Sequence, residues 1–170
     1  MIDIIKATSI SHIEKIAHMA EEIWNEYYIP IIGKRQVDYM VANFQSANAI
    51  KNQIDEGYSY FLAKYNGSYA GYFAILDNRQ EKSMFLNKLY VHRDFRNHGI
   101  AKTCIAYIED ICRELKLVKI WLTVNKYNTA AIKAYKKMGF INIAAITQDI
   151  GNGFIMDDYK MEKIIKGNEL

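Results

Sequence analysis

Apolar residues along the chain follow two spacings, and the spacing predicts the type of each element. Alternating or continuous apolar stretches predict β-strands over residues 3–7, 58–65, 68–76, 84–91, 117–124, 140–147 and 154–164. Apolar residues three and four positions apart predict amphipathic helices over residues 11–27, 35–52, 100–115 and 128–138. The second of these either ends near Ala47–Asn48 or resumes there as AIKNQIDEG. The expected order is therefore β-α-α-β-β-β-α-β-α-β-β, an α/β (α+β) chain.

Capping and turn residues predict where several elements begin and end. Ser11 and Glu14 form a capping box for the first helix, with Thr8 as the alternative N-cap. The dipeptide Asn66-Gly67 between two strands predicts a two-residue hairpin. The strand over 117–124 follows a helix, so we expect it to run parallel to the strand over 84–91.

The turn HRDFRNHG joins a strand directly to the start of a helix. The first N–H groups of a helix lack partners within the helix, and the helix dipole places partial positive charge there. Gly99 would let a phosphate approach the backbone, and Arg93 and Arg96 can donate charge-assisted hydrogen bonds. The turn is therefore a candidate phosphate site, although a solvated basic turn remains an alternative. The glycines of dinucleotide-binding and P-loop motifs are absent.

Composition narrows the class of protein. The 170 residues, 51% of them hydrophobic, predict a single globular domain over 1–170. No stretch reads as a membrane span or signal peptide, so we expect a cytoplasmic protein without a membrane partner. A net charge of +3 with scattered basic residues argues against nucleic acid. Cys104 and Cys112 lie about 12 Å apart along one helix, too far to form a disulfide.

Arg96-Asn97-His98-Gly99-Ile100-Ala101 resembles the Arg/Gln-x-x-Gly-x-Gly/Ala signature of the GNAT superfamily of acyl-CoA-dependent N-acyltransferases. The resemblance implies a GNAT fold, with a mixed, mostly antiparallel sheet of six to seven strands and about four helices. It implies acetyl-CoA as cofactor and no metal. The implied cofactor-binding residues are Leu89, Tyr90, Val91, Arg96, Asn97, His98, Gly99, Ile100, Ala101, Lys102 and Asn128.

A second part of the family pattern covers the helix over 128–138. An Asn begins this helix, a Tyr follows seven residues later, and Gly139-Phe140 ends it, as in GNAT members. By resemblance, Asn128 binds the pantetheine arm, although it could equally cap its own helix. Tyr135 would be the catalytic residue, donating a proton or hydrogen bond to the departing thiolate. The alternative is an ordinary half-buried tyrosine.

The implied reaction is direct attack of an amine on the acetyl group, which requires a proton acceptor. Polyamine acetyltransferases tend to carry a Glu four residues before the Val91 position, but here that residue is Asn87. The residue that accepts the proton is therefore unassigned. The candidates are Glu22, Glu26, Asp157 and Asp158. The acceptor-binding residues that we expect are Trp24, Tyr27, Tyr28, Asn87 and Asp157.

The WNEYY and IGNGFIMDDYKMEK segments are similar to those of small bacterial members of the PaiA-like polyamine acetyltransferase group. We therefore expect an N-acetyltransferase acting on a primary amine of a small molecule, which would be its partner. Two alternatives are a non-catalytic acyl-CoA sensor and an enzyme acting on a protein N-terminus or lysine. GNAT proteins often dimerise, and the terminal strands would allow a homodimer.

Overall fold

Seven strands form one sheet in the computed structural model, which describes residues 1–167. The strand order is β1-β2-β3-β4-β5-β7-β6. The bounds are β1 Ile2–Lys6, β2 Ser59–Tyr65, β3 Ser68–Asn78, β4 Ser83–Val91, β5 Lys119–Asn125, β6 Ile141–Gly151 and β7 Phe154–Ile164. The predicted strand count, order along the chain and mixed sheet are confirmed.

The pairing directions follow from the connections. The Asn66-Gly67 hairpin joins β2 to β3, and both of its residues have positive φ, 49° and 86°, as a type I′ turn requires. The strands β4 and β5, which are joined through a helix, pair in parallel as predicted. Their ladder covers only Ser83–Phe85 and Lys119–Trp121, although β4 continues to Val91 and β5 to Asn125.

Six α-helices accompany the sheet within the described residues. They are α1 Ile10–Tyr27, α2 Ile29–Ile32, α3 Lys34–Met40, α4 Ala47–Asp55, α5 Ile100–Glu114 and α6 Thr129–Lys137.

The predicted capping box is wrong, because Ser9 caps α1 by accepting from the His12 N–H at 3.1 Å. The helix predicted over 35–52 is interrupted, but before Ala47–Asn48, where the sequence placed its end or restart. It is divided into α3, a π-helical segment Val41–Gln45, and α4, which Ser46 caps.

The chain forms two compact units. The first contains residues 1–76 and 88–104. Its core joins one face of α1 to strands β2 and β3. The buried residues are Ile16, Met19, Ala20, Ile23, Trp24, Val37, Met40, Ile50, Tyr60, Phe61, Leu62, Ala63, Ala70, Tyr72, Phe73, Ala74 and Ile75. Phe61 and Phe73 are opposite each other across β2 and β3, and their rings stack at 4.8 Å.

The second unit contains residues 77–87 and 105–167. Its core includes Met84, Leu86, Ile105, Ile108, Cys112, Leu117, Ile120, Leu122, Val124, Phe140 and Met161. The strand β6 is at the edge of the sheet, and Ile141 and Ile143 there are 62% and 43% exposed. None of the helices within residues 1–167 has the length and apolar character needed to cross a membrane.

Candidate active site

Residues 92–102, which join β4 to α5 and include the first residues of that helix, form a segment that we call the phosphate turn. It offers six backbone donors in a row. Within residues 1–167, the N–H groups of Asn97 to Lys102 donate to no protein atom. Asn97 and Gly99 both have positive φ, 65° and 77°, and this conformation sets the path of the turn. A Cβ built on Gly99 would meet no atom within 4 Å, so the space beside the turn is open. These features fit the pyrophosphate of coenzyme A, because an anion can accept from several exposed N–H groups at a helix start.

The Arg96 side chain points to a protein carboxylate. Its two terminal nitrogens contact the two oxygens of Glu26 at 3.2 and 2.8 Å, and its Nε–H donates to the Val91 carbonyl at 3.1 Å. The guanidinium also lies over the Tyr27 ring at 5.0 Å. The hydrogen bond from Arg96 holds the pKa of Glu26 below its usual value. The two terminal nitrogens of the Arg96 guanidinium, which form the fork that we expected to bind phosphate, are therefore already paired with the ionised Glu26 carboxylate.

The strand β4 approaches β3 closely just before this turn. A Cβ built on Gly71 would lie 2.5 Å from the Tyr90 carbonyl oxygen, so only glycine fits there without a backbone shift. The His92 N–H donates to the Ala70 carbonyl at 2.8 Å and continues the pairing. The expected contacts of Leu89 and Val91 with pantetheine stay predictions. The Val91 carbonyl, which has two lone pairs, can still accept a second hydrogen bond.

Aromatic side chains gather at the end of α1. Trp24 stacks on Tyr28 at 4.3 Å, and Tyr90 packs edge-on against both rings, at 5.6 and 6.2 Å. Tyr27 packs edge-on against Tyr28 at 5.1 Å. Three of the expected acceptor-binding residues, Trp24, Tyr27 and Tyr28, thus form one cluster with the expected cofactor residue Tyr90.

A buried lysine on β4 is a feature that the sequence interpretation missed. Lys88 is 4% exposed, and its ammonium donates to the Phe44 carbonyl, to Gln53 Oε1 at 3.1 Å and to the Tyr60 hydroxyl at 2.6 Å. Burial lowers the pKa of Lys88 to about 7. The available signal was its position between Leu86 and Tyr90 in an alternating strand, where a core residue belongs.

A groove of about 390 Å³ lies between α1, the start of β3 and the residues that follow β4. Its lining residues are Lys15, His18, Met19, Glu22, Gly67, Ser68, Tyr69, His92 and Phe95. The Glu22 carboxylate lies 3.5 Å from His18 Nε2 and 3.7 Å from His92 Nε2. This base candidate therefore faces two imidazoles in an open groove.

In the second unit, Asn128 caps α6. Its Oδ1 accepts from the Ala131 N–H at 3.2 Å, and the residue is 3% exposed. The capping interpretation is confirmed, and the pantetheine contact stays a prediction. Tyr135 lies on α6 with its ring edge-on to Phe140 at 5.4 Å. The role of its hydroxyl as a donor to the departing thiolate stays a prediction as well.

The two aspartates of β7, Asp157 and Asp158, differ in solvent exposure and in their partners. Asp157 forms an ion pair with Lys126 at 2.6 Å and is 40% exposed. Asp158 is 6% exposed, and its Oδ1 has no hydrogen-bond partner within the described residues. Burial raises the pKa of Asp158 to about 6. A carboxylate with such a pKa can accept a proton near neutral pH. Asn87 is half-buried on β4 in the same unit.

Comparison with known proteins decides the family. The Acetyltransferase (GNAT) family matches residues 17–140, which is most of the chain. The chain belongs to this family. It is accordingly an N-acetyltransferase, and its cofactor is acetyl-CoA. The match includes the phosphate turn and all of α6, the two parts of the chain on which the resemblance rested.

Two curated relatives are informative. A spermidine N(1)-acetyltransferase from Thermoplasma acidophilum is 24% identical over 160 residues, covering 90% of this chain and 94% of that protein. A streptothricin acetyltransferase from Streptomyces lavendulae is 29% identical over 75 residues, covering 44% and 40%. Among solved structures, the PaiA N-acetyltransferase of Thermoplasma acidophilum in complex with coenzyme A superposes with a TM-score of 0.79. It is 21% identical and covers 96% of this chain and 99% of its own, which shows a shared fold.

Proposed function

We propose that this GNAT enzyme transfers an acetyl group from acetyl-CoA to a primary amine of a small, polyamine-like molecule. The observation that carries the proposal is the cluster of Trp24, Tyr28 and Tyr90, which is tied to the phosphate turn through Glu26 and Arg96. Tyr28 and Tyr90 are half-buried and pack on the buried Trp24 ring. Aromatic rings attract ammonium groups, so the two tyrosines suit a cationic acceptor. The spermidine acetyltransferase relative, similar over nearly the whole chain, supports the same class of acceptor.

The cofactor contacts in this proposal begin with the backbone. The N–H groups of Asn97 to Lys102 would hold the pyrophosphate, and the exposed Lys102 side chain adds positive charge. Leu89 and Val91 on β4 and Asn128 on α6 would bind the pantetheine arm, as the family resemblance implies. When bound, acetyl-CoA supplies the activated acetyl group.

Two side chains would handle the protons. An amine with a pKa of about 10.4 is mostly protonated at neutral pH and must lose a proton before it can attack. Asp158, whose pKa burial raises to about 6, is the proton acceptor that we propose. Tyr135 would supply a proton or hydrogen bond through its hydroxyl to the departing thiolate. Glu26 is not preferred, because its carboxylate is already paired with Arg96. Glu22 is not preferred, because its carboxylate lies 3.5 and 3.7 Å from two imidazoles in an open groove.

A thiol-release assay against a panel of acceptors tests this function. The panel contains polyamines, monoamines, a lysine-containing peptide and a peptide with a free N-terminus. We expect acetyl-CoA turnover with a small polyamine, and little with the peptides or with the fully N-acetylated form of the same polyamine. Turnover only with peptides would assign a protein acceptor. Coenzyme A binding without turnover on any amine would assign a sensor.

Three further predictions belong to this proposal. They are a single domain over residues 1–170, a cytoplasmic location and a homodimer. The buried thiols of Cys104 and Cys112, whose pKa burial raises to about 12, are unreactive and suit a reducing compartment. For the homodimer, β6 offers an exposed edge, which sedimentation of the intact protein would test.

A further inference from the structure

The Arg96–Glu26 pair joins two segments that are 70 residues apart in the chain. Arg96 belongs to the phosphate turn, and Glu26 to the last turn of α1. Both terminal nitrogens of Arg96 contact the carboxylate, and the third contact, from Nε to the Val91 carbonyl, fixes the plane of the guanidinium. A planar fork with three fixed partners has one orientation, which a lysine could not reproduce.

The turn of α1 held in this way carries the aromatic cluster. Trp24, Tyr27 and Tyr28 lie within two residues of Glu26, and the Tyr27 ring packs beneath the guanidinium. One turn earlier on α1, Glu22 Oε2 lies 3.7 Å from His92 Nε2. Two carboxylates on successive turns of α1 thus face two residues that follow β4.

We propose that Arg96 is a positioning residue, which orients the aromatic cluster for the acceptor amine and does not use its side chain to bind pyrophosphate. The inference rests on the proposed function. The backbone N–H groups of Asn97 to Lys102 already offer enough donors for an anion. Glu26 is the carboxylate in direct contact with Arg96, and the nearby Arg93 adds further positive charge around it. A phosphate that took the fork would leave the Glu26 carboxylate without its partner.

Two single variants and their double variant separate the two roles. R96Q removes the charge and the fork, E26Q removes only the charge of the partner, and R96Q/E26Q removes both. The matched control is R79Q, since Arg79, which follows β3, forms an exposed pair with Asp77 near the end of that strand. Three quantities are measured for each protein: the KM for the best amine, the dissociation constant for coenzyme A, and acrylamide quenching of Trp24 in a Trp121→Phe background. Trp24 is 3% exposed and should be quenched only when the cluster loosens.

For R96Q and E26Q we expect the amine KM to rise about fivefold to tenfold, because the acceptor wall is misplaced. The dissociation constant for coenzyme A should change by less than about threefold. Quenching of Trp24 should increase in both single variants, and the double variant should match either of them, since one interaction is lost in all three. R79Q should behave as the parent protein.

Two results would overturn the inference. If R96Q weakens coenzyme A binding at least tenfold and E26Q does not, the Arg96 side chain binds phosphate. If neither variant changes the KM or the quenching, the pair positions nothing. A parent protein that acetylates no amine would refute the proposed function, and the quenching and coenzyme A titrations would still decide the role of Arg96.

Discussion

Lys88→Met should change how the stability of the protein depends on pH. Lys88 is almost completely buried, and its partners are neutral groups, namely the Phe44 carbonyl, the Gln53 amide and the Tyr60 hydroxyl. Among the described residues no carboxylate forms an ion pair with it. Burial therefore lowers the pKa of Lys88 from 10.5 to about 7.

The size of the effect follows from linkage. Because the folded-state pKa is the lower one, the unfolded chain binds the proton more strongly between about pH 7 and 10.5, and stability rises with pH across that window. Below pH 7 both states are protonated, and the cost of burying the ammonium is on the order of 5 kcal/mol, at about 1.4 kcal/mol per pKa unit. From pH 6 to pH 9.5, the parent should gain roughly 3 kcal/mol relative to Lys88→Met, which has no such proton.

Urea unfolding of both proteins at several pH values between 6 and 9.5 measures this difference. Comparing the two proteins cancels the titration of other groups, which are the same in both. Methionine fills a similar volume but leaves the Phe44 carbonyl without its donor, so a constant offset of about 1–3 kcal/mol is also expected. Lys51→Met, at an exposed position on α4, is the matched control and should show no pH-dependent difference.

Parallel stability curves for the parent and Lys88→Met would refute this reasoning. They would mean that Lys88 stays charged in the folded protein and that its three acceptors fully compensate for lost hydration. A change in the opposite direction, in which Lys88→Met gains stability relative to the parent as pH rises, would refute it as well.

Three further predictions concern single residues. Tyr135→Phe should lower turnover about 100-fold or more by removing the proton donor, while a binding titration shows a nearly unchanged affinity for acetyl-CoA. For Asp158→Asn, urea unfolding should show a variant more stable than the parent at pH 8 but not at pH 4, because the folded-state pKa of about 6 lies above the usual value and the cost of the buried charge exists only at higher pH. The same variant should lose turnover if Asp158 accepts the proton, and parent turnover should fall as pH drops below 6. Gly71→Ala should lower the free energy of unfolding by about 1–3 kcal/mol, since its Cβ would lie 2.5 Å from the Tyr90 carbonyl oxygen, and thermal unfolding would show the loss.

Elements defined by local signals could be predicted from the sequence. The predicted strand over 154–164 agrees with β7, and α6 ends one residue before its predicted limit. Asn66-Gly67 forms its hairpin because both residues tolerate the positive φ that the turn needs. Elements whose conformation is set by their own residues and near neighbours could therefore be predicted from the sequence.

Features that depend on packing could not be predicted. The apolar spacing of Val37, Met40, Val41 and Phe44 is the same for a continuous helix and for one interrupted by a π-helical segment, so the position and form of the interruption were missed. Likewise, Ser9 and Ser11 are both good N-caps, and only the folded chain shows which one accepts the hydrogen bond.

The candidate site shows the same limit. The motif identified the phosphate turn, because a strand, a basic turn and a helix are adjacent in sequence. The partner of Arg96 is 70 residues away, so no local pattern could show that its fork is occupied. Similarly, the acceptors of Lys88 come from the π-helical segment, α4 and β2, which only folding brings together.

Titration of coenzyme A into the parent, Gly99→Glu and Gly67→Glu proteins is the most direct test of the central claim, that the turn of residues 97–102 binds the cofactor. Both glycines have positive φ, 77° and 86°, and open space at the Cβ position, so the two substitutions impose similar backbone strain. Only the first places a side chain and a negative charge against the exposed N–H groups of the turn. We predict that the parent and Gly67→Glu bind coenzyme A with similar affinity and that Gly99→Glu, still folded, does not bind it. Equal affinity in all three proteins, or no binding by the parent, would contradict the account.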